Sequence, residues 1–291
     1  MDNKLNANDI KEAAKDSLGI IDKIADYFPS LRARKVFFDE IENNPNLSFN
    51  EKMAYLYNFK GIQKQIKNTA SMFNLADLIL KESGKSIEEE LPKLDEDWFS
   101  YFEDVAKNFS NNDMQIIWAK ILASECTKHG SVSKKVIGIL QTIDKKEAET
   151  FSFLCSHSVL FKLDDNKYDF EFVYPRLALG NNDELRKIFE NTSVNDLSLM
   201  NLESIGLIKY DTLSGFGFTE SDITAKYFDS VLYLKRKNNN LIPYGNISFT
   251  SAGSQLVQIL HKSIKNEKNQ DYWDFLFNYW KDGCEVTLLN N

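Results

Sequence analysis

The chain has 291 residues, a formal charge of −8 and 43% hydrophobic side chains, enough apolar mass for one or two packed domains. Its acidity excludes coating nucleic acid or an anionic membrane by bulk charge. An odd, sparse set of three cysteines argues against a disulfide framework, and no run approaches the roughly 18 apolar residues of a membrane span.

With only 12 glycines and 5 prolines, long helices are favoured. The opening MDNKLNANDIKEAAKDS lacks the charged-then-apolar pattern of a signal peptide, so a cytoplasmic protein is expected. Ile10, Ala13, Ala14, Leu18, Ile21, Ala25 and Phe28 follow helical spacing up to Pro29. That segment reads as a packing helix. A membrane-surface or partner-binding helix is the alternative, and the mixture of Lys with Asp and Glu on its polar face weakens the membrane version.

A second helix is expected over 31–42. Ser48 and Glu51 form a capping box that opens a long helix to about Leu80, with Gly84 suited to its C-terminal end. An acidic connection over 85–95 follows. Trp98, Phe99, Phe102, Val105, Ala106 and Phe109 then share one helical face. Ser110 with Asp113 is expected to cap the next helix, which ends at His129-Gly130. A short helix is expected over 131–141, and Asp144 with Glu147 caps another running to about Cys155.

The pattern changes near residue 158. Strands are expected at 168–174, 207–210, 231–235 and 246–250, the last two as a pair around the polar tip KRKNNN. Helices are expected at 182–191, 196–206 and 252–264, and the aromatic run DYWDFLFNYW reads as a final helix. The expected fold is therefore mainly α. It comprises an N-terminal helical bundle over 1–157 and an α+β winged-helix-like part over 158–291 with a C-terminal aromatic helix.

From Asp97-Trp98 to about Phe151 the chain is similar to the centre of an uncharacterised bacterial family, domain-of-unknown-function family 2806. The matching features are Asp97-Trp98, Phe102, Ser110, Met114-Gln115, Trp118, Leu122-Ala123, Glu125, Gly130, Ser131, Ser133 and Phe151. Gln65-Ile66-Lys67-Asn68 and Ala76 upstream, and NLESIGLI and FTSAGSQL downstream, extend the resemblance to about two-thirds of the chain. The usual Pro-Gly before the serine run is His129-Gly130 here. QIIWAKILASE is loosely similar to helical modules of abortive-infection, or phage-defence, proteins. The resemblance implies no known reaction.

Candidate site residues gather in the centre. Asp97, Trp98, Gln115, Trp118 and Glu125 read first as a structural polar cluster, with Glu125 capping the Ser131–Ser133 helix start. A polar functional site around Asp97, Gln115 and Glu125 is the rival reading, and it lacks a nucleophile–base pair. Cys126, His129, Cys155 and His157 invite a zinc site, but their spacing departs from paired C-x2-C chelates, so buried thiols and surface histidines are preferred. No cofactor is expected. Gly215-Phe216-Gly217 lacks the strand–turn–helix context of a phosphate loop.

Lys235, Arg236 and Lys237 are the candidate nucleic-acid contacts, as the tip of a wing. The helix that would read DNA, DLSLMNLESIG, is acidic and carries no Arg or Lys. Protein contact is therefore favoured over nucleic acid. The leading expectation is a non-enzymatic interaction or sensor protein, of possible use in phage defence, that self-associates or binds a protein partner. A nucleic-acid-binding regulator comes second, and an enzyme with an unrecognised polar site third.

Overall fold

Apolar residues at helical spacing, bounded by side-chain caps, dictate the first half of the chain. The computed structural model describes residues 36, 39–58, 60–163, 169–173, 183–190, 192–213, 215–238, 240–261 and 268–289. The helix expected over 10–28 lies outside the described residues. The chain divides into two compact units, Met1–Gln141 and Thr142–Asn291.

In the first unit, the helix expected to run from Ser48 to about Leu80 is recorded as α1 (Phe49–Asn58) and α2 (Lys60–Glu82). The capping box at its start is present: Ser48 N–H donates to the Glu51 carboxylate at 2.9 Å, and Glu51 N–H donates to the Ser48 hydroxyl. After the short α3 (Ile87–Glu90) come α4 (Glu96–Ala106), α5 (Asn112–Thr127) and α6 (Lys134–Thr142). Asn111, not Ser110, caps α5, accepting from the backbone N–H groups of Asp113 and Met114. Phe73, Leu75 and Ala76 of α2 pack with Phe102 of α4 and Trp118 and Leu122 of α5, all without exposure.

The second unit opens with α7 (Lys145–Ser156), which begins at the expected Asp144–Glu147 capping box. Strands and helices then alternate irregularly: β1 (Ser158–Leu163), β2 (Asp169–Val173), α8 (Asp183–Phe189), α9 (Asp196–Ser204), β3 (Ile208–Tyr210), β4 (Phe216–Phe218), β5 (Asp222–Tyr227), β6 (Ser230–Arg236), β7 (Ile242–Gly245), β8 (Ile247–Phe249), α10 (Ser251–His261), α11 (Gln270–Gly283) and β9 (Cys284–Leu289). Seven strands form one sheet in the order β3-β8-β2-β1-β5-β6-β9, and β4 and β7 form a separate pair. Every strand pairing among the described residues is antiparallel.

This arrangement overturns the mainly-α, winged-helix-like expectation. The strand over 230–236 does not pair with the one over 247–249. β6 lies between β5 and β9, whereas β8 lies between β2 and β3. The residues after β6 lead to β7, which pairs with β4, so KRKNNN is not the tip of a wing. Nor does the described chain close on a helix, since β9 follows α11 and extends the sheet. The physical reason is pairing: β5 and β6 bury alternate apolar side chains on one face, which a shared sheet satisfies, and β9 joins that sheet along the edge of β6.

Among the described residues no helix is long and apolar enough to cross a membrane.

Candidate functional site

Gln115 projects from the first turn of α5 into the seam with α2. Its amide donates to the Asn68 side-chain oxygen at 3.3 Å and to the Phe109 carbonyl at 3.2 Å, while its oxygen accepts from the Ser71 hydroxyl at 2.8 Å. Asn68 in turn donates to the Lys107 carbonyl at 2.8 Å and to the Ser110 hydroxyl at 3.1 Å. Asn68, Ser71 and Gln115 are all buried. Together they satisfy the carbonyls left over where α4 ends, which would otherwise be stranded in the interior.

Glu125 lies ten residues further along α5, about 15 Å at 1.5 Å per residue. One carboxylate oxygen accepts from Gly130 N–H at 2.5 Å; the other accepts from Val132 N–H at 2.8 Å and from the Ser131 hydroxyl at 3.2 Å. The same turn is held from its other side, where the Trp98 indole N–H donates to the Val132 carbonyl at 2.7 Å. Glu125 is 5% exposed, so the turn ahead of α6 is tied down by a buried carboxylate.

The five central residues therefore divide. Glu125 and Trp98 hold one turn, and Gln115 holds the α2 seam. Asp97 is exposed on the first turn of α4. Trp118 is fully buried, its ring against Phe102 (5.7 Å) and Phe109 (5.4 Å), and among the described residues its N–H has no hydrogen-bond partner. No hydrogen bond joins Asp97, Gln115 and Glu125 into one cleft, and the bonds of Gln115 and Glu125 end on helix-terminal backbone and on neighbouring side chains. Sequence reading singled out Gln115 but missed Ser71, which carries no signal beyond being a hydroxyl on an apolar face.

The cysteine and histidine residues also separate. Burial, with the charges of Glu90 and Glu125 nearby, pushes the Cys126 thiol up to about 12, far from a reactive thiolate. His129 is exposed. Cys155 is buried at the end of α7. Among the described residues no group of three or more His, Cys, Asp or Glu side chains is placed to hold a metal.

His157 is a buried core histidine, contrary to the surface position expected. It stacks on Phe153 (centroids 4.1 Å apart) and meets the edges of Phe189 and Tyr272. The Phe153 carbonyl, 3.0 Å from Nδ1, only accepts, so Nδ1 carries the hydrogen and Nε2 faces the Asn269 amide at 3.4 Å. Burial holds the imidazole pKa below its ordinary value. As pH falls past about 6.5, the unfolded chain therefore takes up this proton before the folded one does. Stability contributed by the neutral ring above that pH is lost below it. Thermal midpoints between pH 7 and 5 should fall more steeply for the wild type than for His157→Phe, and equal slopes would contradict this assignment.

Of the basic triad, Lys235 and Arg236 end β6 and Lys237 follows it. Lys235 stands opposite Asp222 on β5 and Glu285 on β9. Arg236 donates to the Thr219 carbonyl at 3.0 Å, and Lys237 Nζ to the Lys281 carbonyl at 2.6 Å. Gly215 (φ +72°) and Gly217 serve close strand packing: a Cβ on Gly215 would lie 2.9 Å from the Gly245 carbonyl, and one on Gly217 2.8 Å from Leu241 Cβ.

The model of the family described as a protein of unknown function (DUF2806) matches residues 59–276. No curated protein matches the chain, and no solved structure does.

Proposed function

We propose that this chain, which belongs to the DUF2806 family of proteins of unknown function, is a protein-interaction protein and not an enzyme. The observation that carries the reading is the face of α1. Phe49, Met53 and Tyr57, spaced i, i+4 and i+8, are 76%, 49% and 78% exposed. Single exposed apolar residues are ordinary, but three in line on one helix match the anchors of a helix seated in a partner's groove. Each aromatic ring brings roughly 150–250 Å² to such a contact.

The interior supports the same reading. The buried Glu125 carboxylate and the Asn68 and Gln115 amides of the centre are occupied with backbone, with hydroxyls and with each other. A nucleic-acid role is disfavoured because Lys235 stands between two carboxylates in the sheet register and Arg236 and Lys237 each spend a donor on a backbone carbonyl. A place in phage defence is only what the loose similarity of QIIWAKILASE implies, and no matching relative carries it.

Replacing Phe49, Met53 and Tyr57 together by aspartate tests the proposal. The sites are exposed, so folding stability should change little. A partner that the wild-type chain retains in affinity capture, and rebinds when purified, should be lost by the triple variant. Equal retention by both chains, or no partner for either, overturns the reading.

A further inference from the structure

The core face of the second unit's sheet runs out at β9. Along one row, Phe161, Ala225 and Leu232 stand side by side on successive strands, and each is fully buried. The next residue in that row, Leu288 on β9, is 53% exposed. Leu289, beside it on the other face, is 42% exposed. A row of core side chains that ends in an open leucine is a row missing its last neighbour.

The backbone of β9 gives the same message. Its six residues pair with β6 in one unbroken register, and Lys237 N–H donating to the Gly283 carbonyl at 3.2 Å continues the ladder. In an antiparallel ladder hydrogen-bonded and non-bonded pairs alternate. Gly283, Glu285, Thr287 and Leu289 therefore turn their backbone groups to β6, while Cys284, Val286 and Leu288 turn theirs to the outer edge, which pairs with no strand among the described residues. Of these, Cys284 N–H is already engaged by the Trp280 carbonyl.

Proteins blunt exposed edges with short strands, lysine, proline or bulges. The opposite edge, β3, follows that rule, with three residues and an exposed Lys209. β9 has none of those devices.

We infer that β9 pairs with β9 of a second copy of this chain, antiparallel about a twofold axis at Val286, making one continuous sheet across two molecules. A second copy fits because the outward-facing residues Cys284, Val286 and Leu288 are centred on Val286, so a twofold pairing sets the Leu288 N–H against the Cys284 carbonyl beside its engaged N–H. Val286 meets Val286 through two hydrogen bonds. Each Leu288 N–H reaches the other copy's Cys284 carbonyl, which makes four bonds in all. Each Leu288 then lies beside the other copy's Cys284 on the core face and completes its row. Glu285 falls opposite Thr287, so no carboxylate faces its own copy. β9 belongs to the second unit and α1 to the first, and the two readings are tested by different substitutions.

Sedimentation of the full chain over a range of concentrations tests the inference. A concentration-dependent dimer is expected. Val286→Pro removes only an outward N–H, a change edge strands tolerate, and should weaken the dimer by about tenfold or more while the thermal midpoint holds. Leu288→Lys, at an exposed side chain, should weaken it too, and this variant decides the matter if Val286→Pro fails to fold. The aspartate variant of α1 should dimerise as the wild type does. A chain that stays monomeric throughout, or a dimer indifferent to Leu288→Lys, overturns the inference.

Discussion

Gly253→Ala should cost the second unit about 3 kcal/mol or more, or prevent its folding. A Cβ at this position would lie 2.0 Å from the Leu207 carbonyl oxygen, 3.1 Å from the Leu207 carbonyl carbon and 3.3 Å from Phe249 Cβ. The first two atoms are backbone and cannot swing aside. The approach is fixed by Thr250, whose N–H donates to the Leu207 carbonyl at 3.0 Å and whose hydroxyl donates to the Gly206 carbonyl at 2.6 Å. Gly253 N–H then donates to that hydroxyl at 3.1 Å, so the start of α10 is clamped onto the chain entering β3. Gly138→Ala is the contrast, because its Cβ would meet only the tip of the Tyr101 side chain at 3.3 Å. In urea denaturation Gly253→Ala should show a much lower midpoint, and Gly138→Ala one near the wild type. A wild-type midpoint for Gly253→Ala would mean that α10 is not held against Leu207.

Glu125→Ala is expected to lower stability by about 3 kcal/mol, because hydrogen bonds to a charged acceptor contribute about 1.5–3 kcal/mol and orphaned buried donors add their own cost. The substitution leaves Gly130 N–H, Val132 N–H and the Ser131 hydroxyl without the carboxylate that now receives all three. Val132 is 1% exposed, so water does not readily replace it. Glu125→Gln should fall between alanine and wild type, since an amide keeps one accepting oxygen and presents N–H groups where the other stood. The Val132 amide should also exchange with solvent faster in Glu125→Ala. Unchanged exchange there, with an unchanged urea midpoint, would remove Glu125 from its holding role.

How far these features could be read from sequence depends on how local their causes are. The capping boxes at Ser48–Glu51 and Asp144–Glu147 were legible because donor and acceptor lie three residues apart. The aromatic face from Trp98 to Ala106 was legible from its spacing, but Phe109, expected on it, lies beyond the end of α4. β9 was not: CEVTLL is short, follows a strongly aromatic helix, and becomes a strand by pairing with β6 some fifty residues earlier. β5 was missed although its hairpin partner β6 follows within a few residues, and without β5 and β9 as its neighbours β6 was assigned to the wrong partner. In the centre, Gln115 could be picked out as an amide on an apolar helix, but its partners Asn68 and Ser71 sit 47 and 44 residues away. The tail phrases NLESIGLI and FTSAG stand some forty residues apart in the sequence; the structure makes them the two sides of the Leu207–Gly253 contact.

The claim beneath this account is that the buried polar groups between α2 and α5 hold backbone in place. A double-mutant cycle on Asn68 and Gln115, read by urea unfolding, tests it most directly. Each alanine variant should lower the midpoint, and the pair should show a coupling of about 1 kcal/mol. Residues held in place for chemistry often cost stability, and their removal then raises it. Single variants that leave the midpoint unchanged or raise it, with no coupling between them, would contradict the account and point to a reactive site instead.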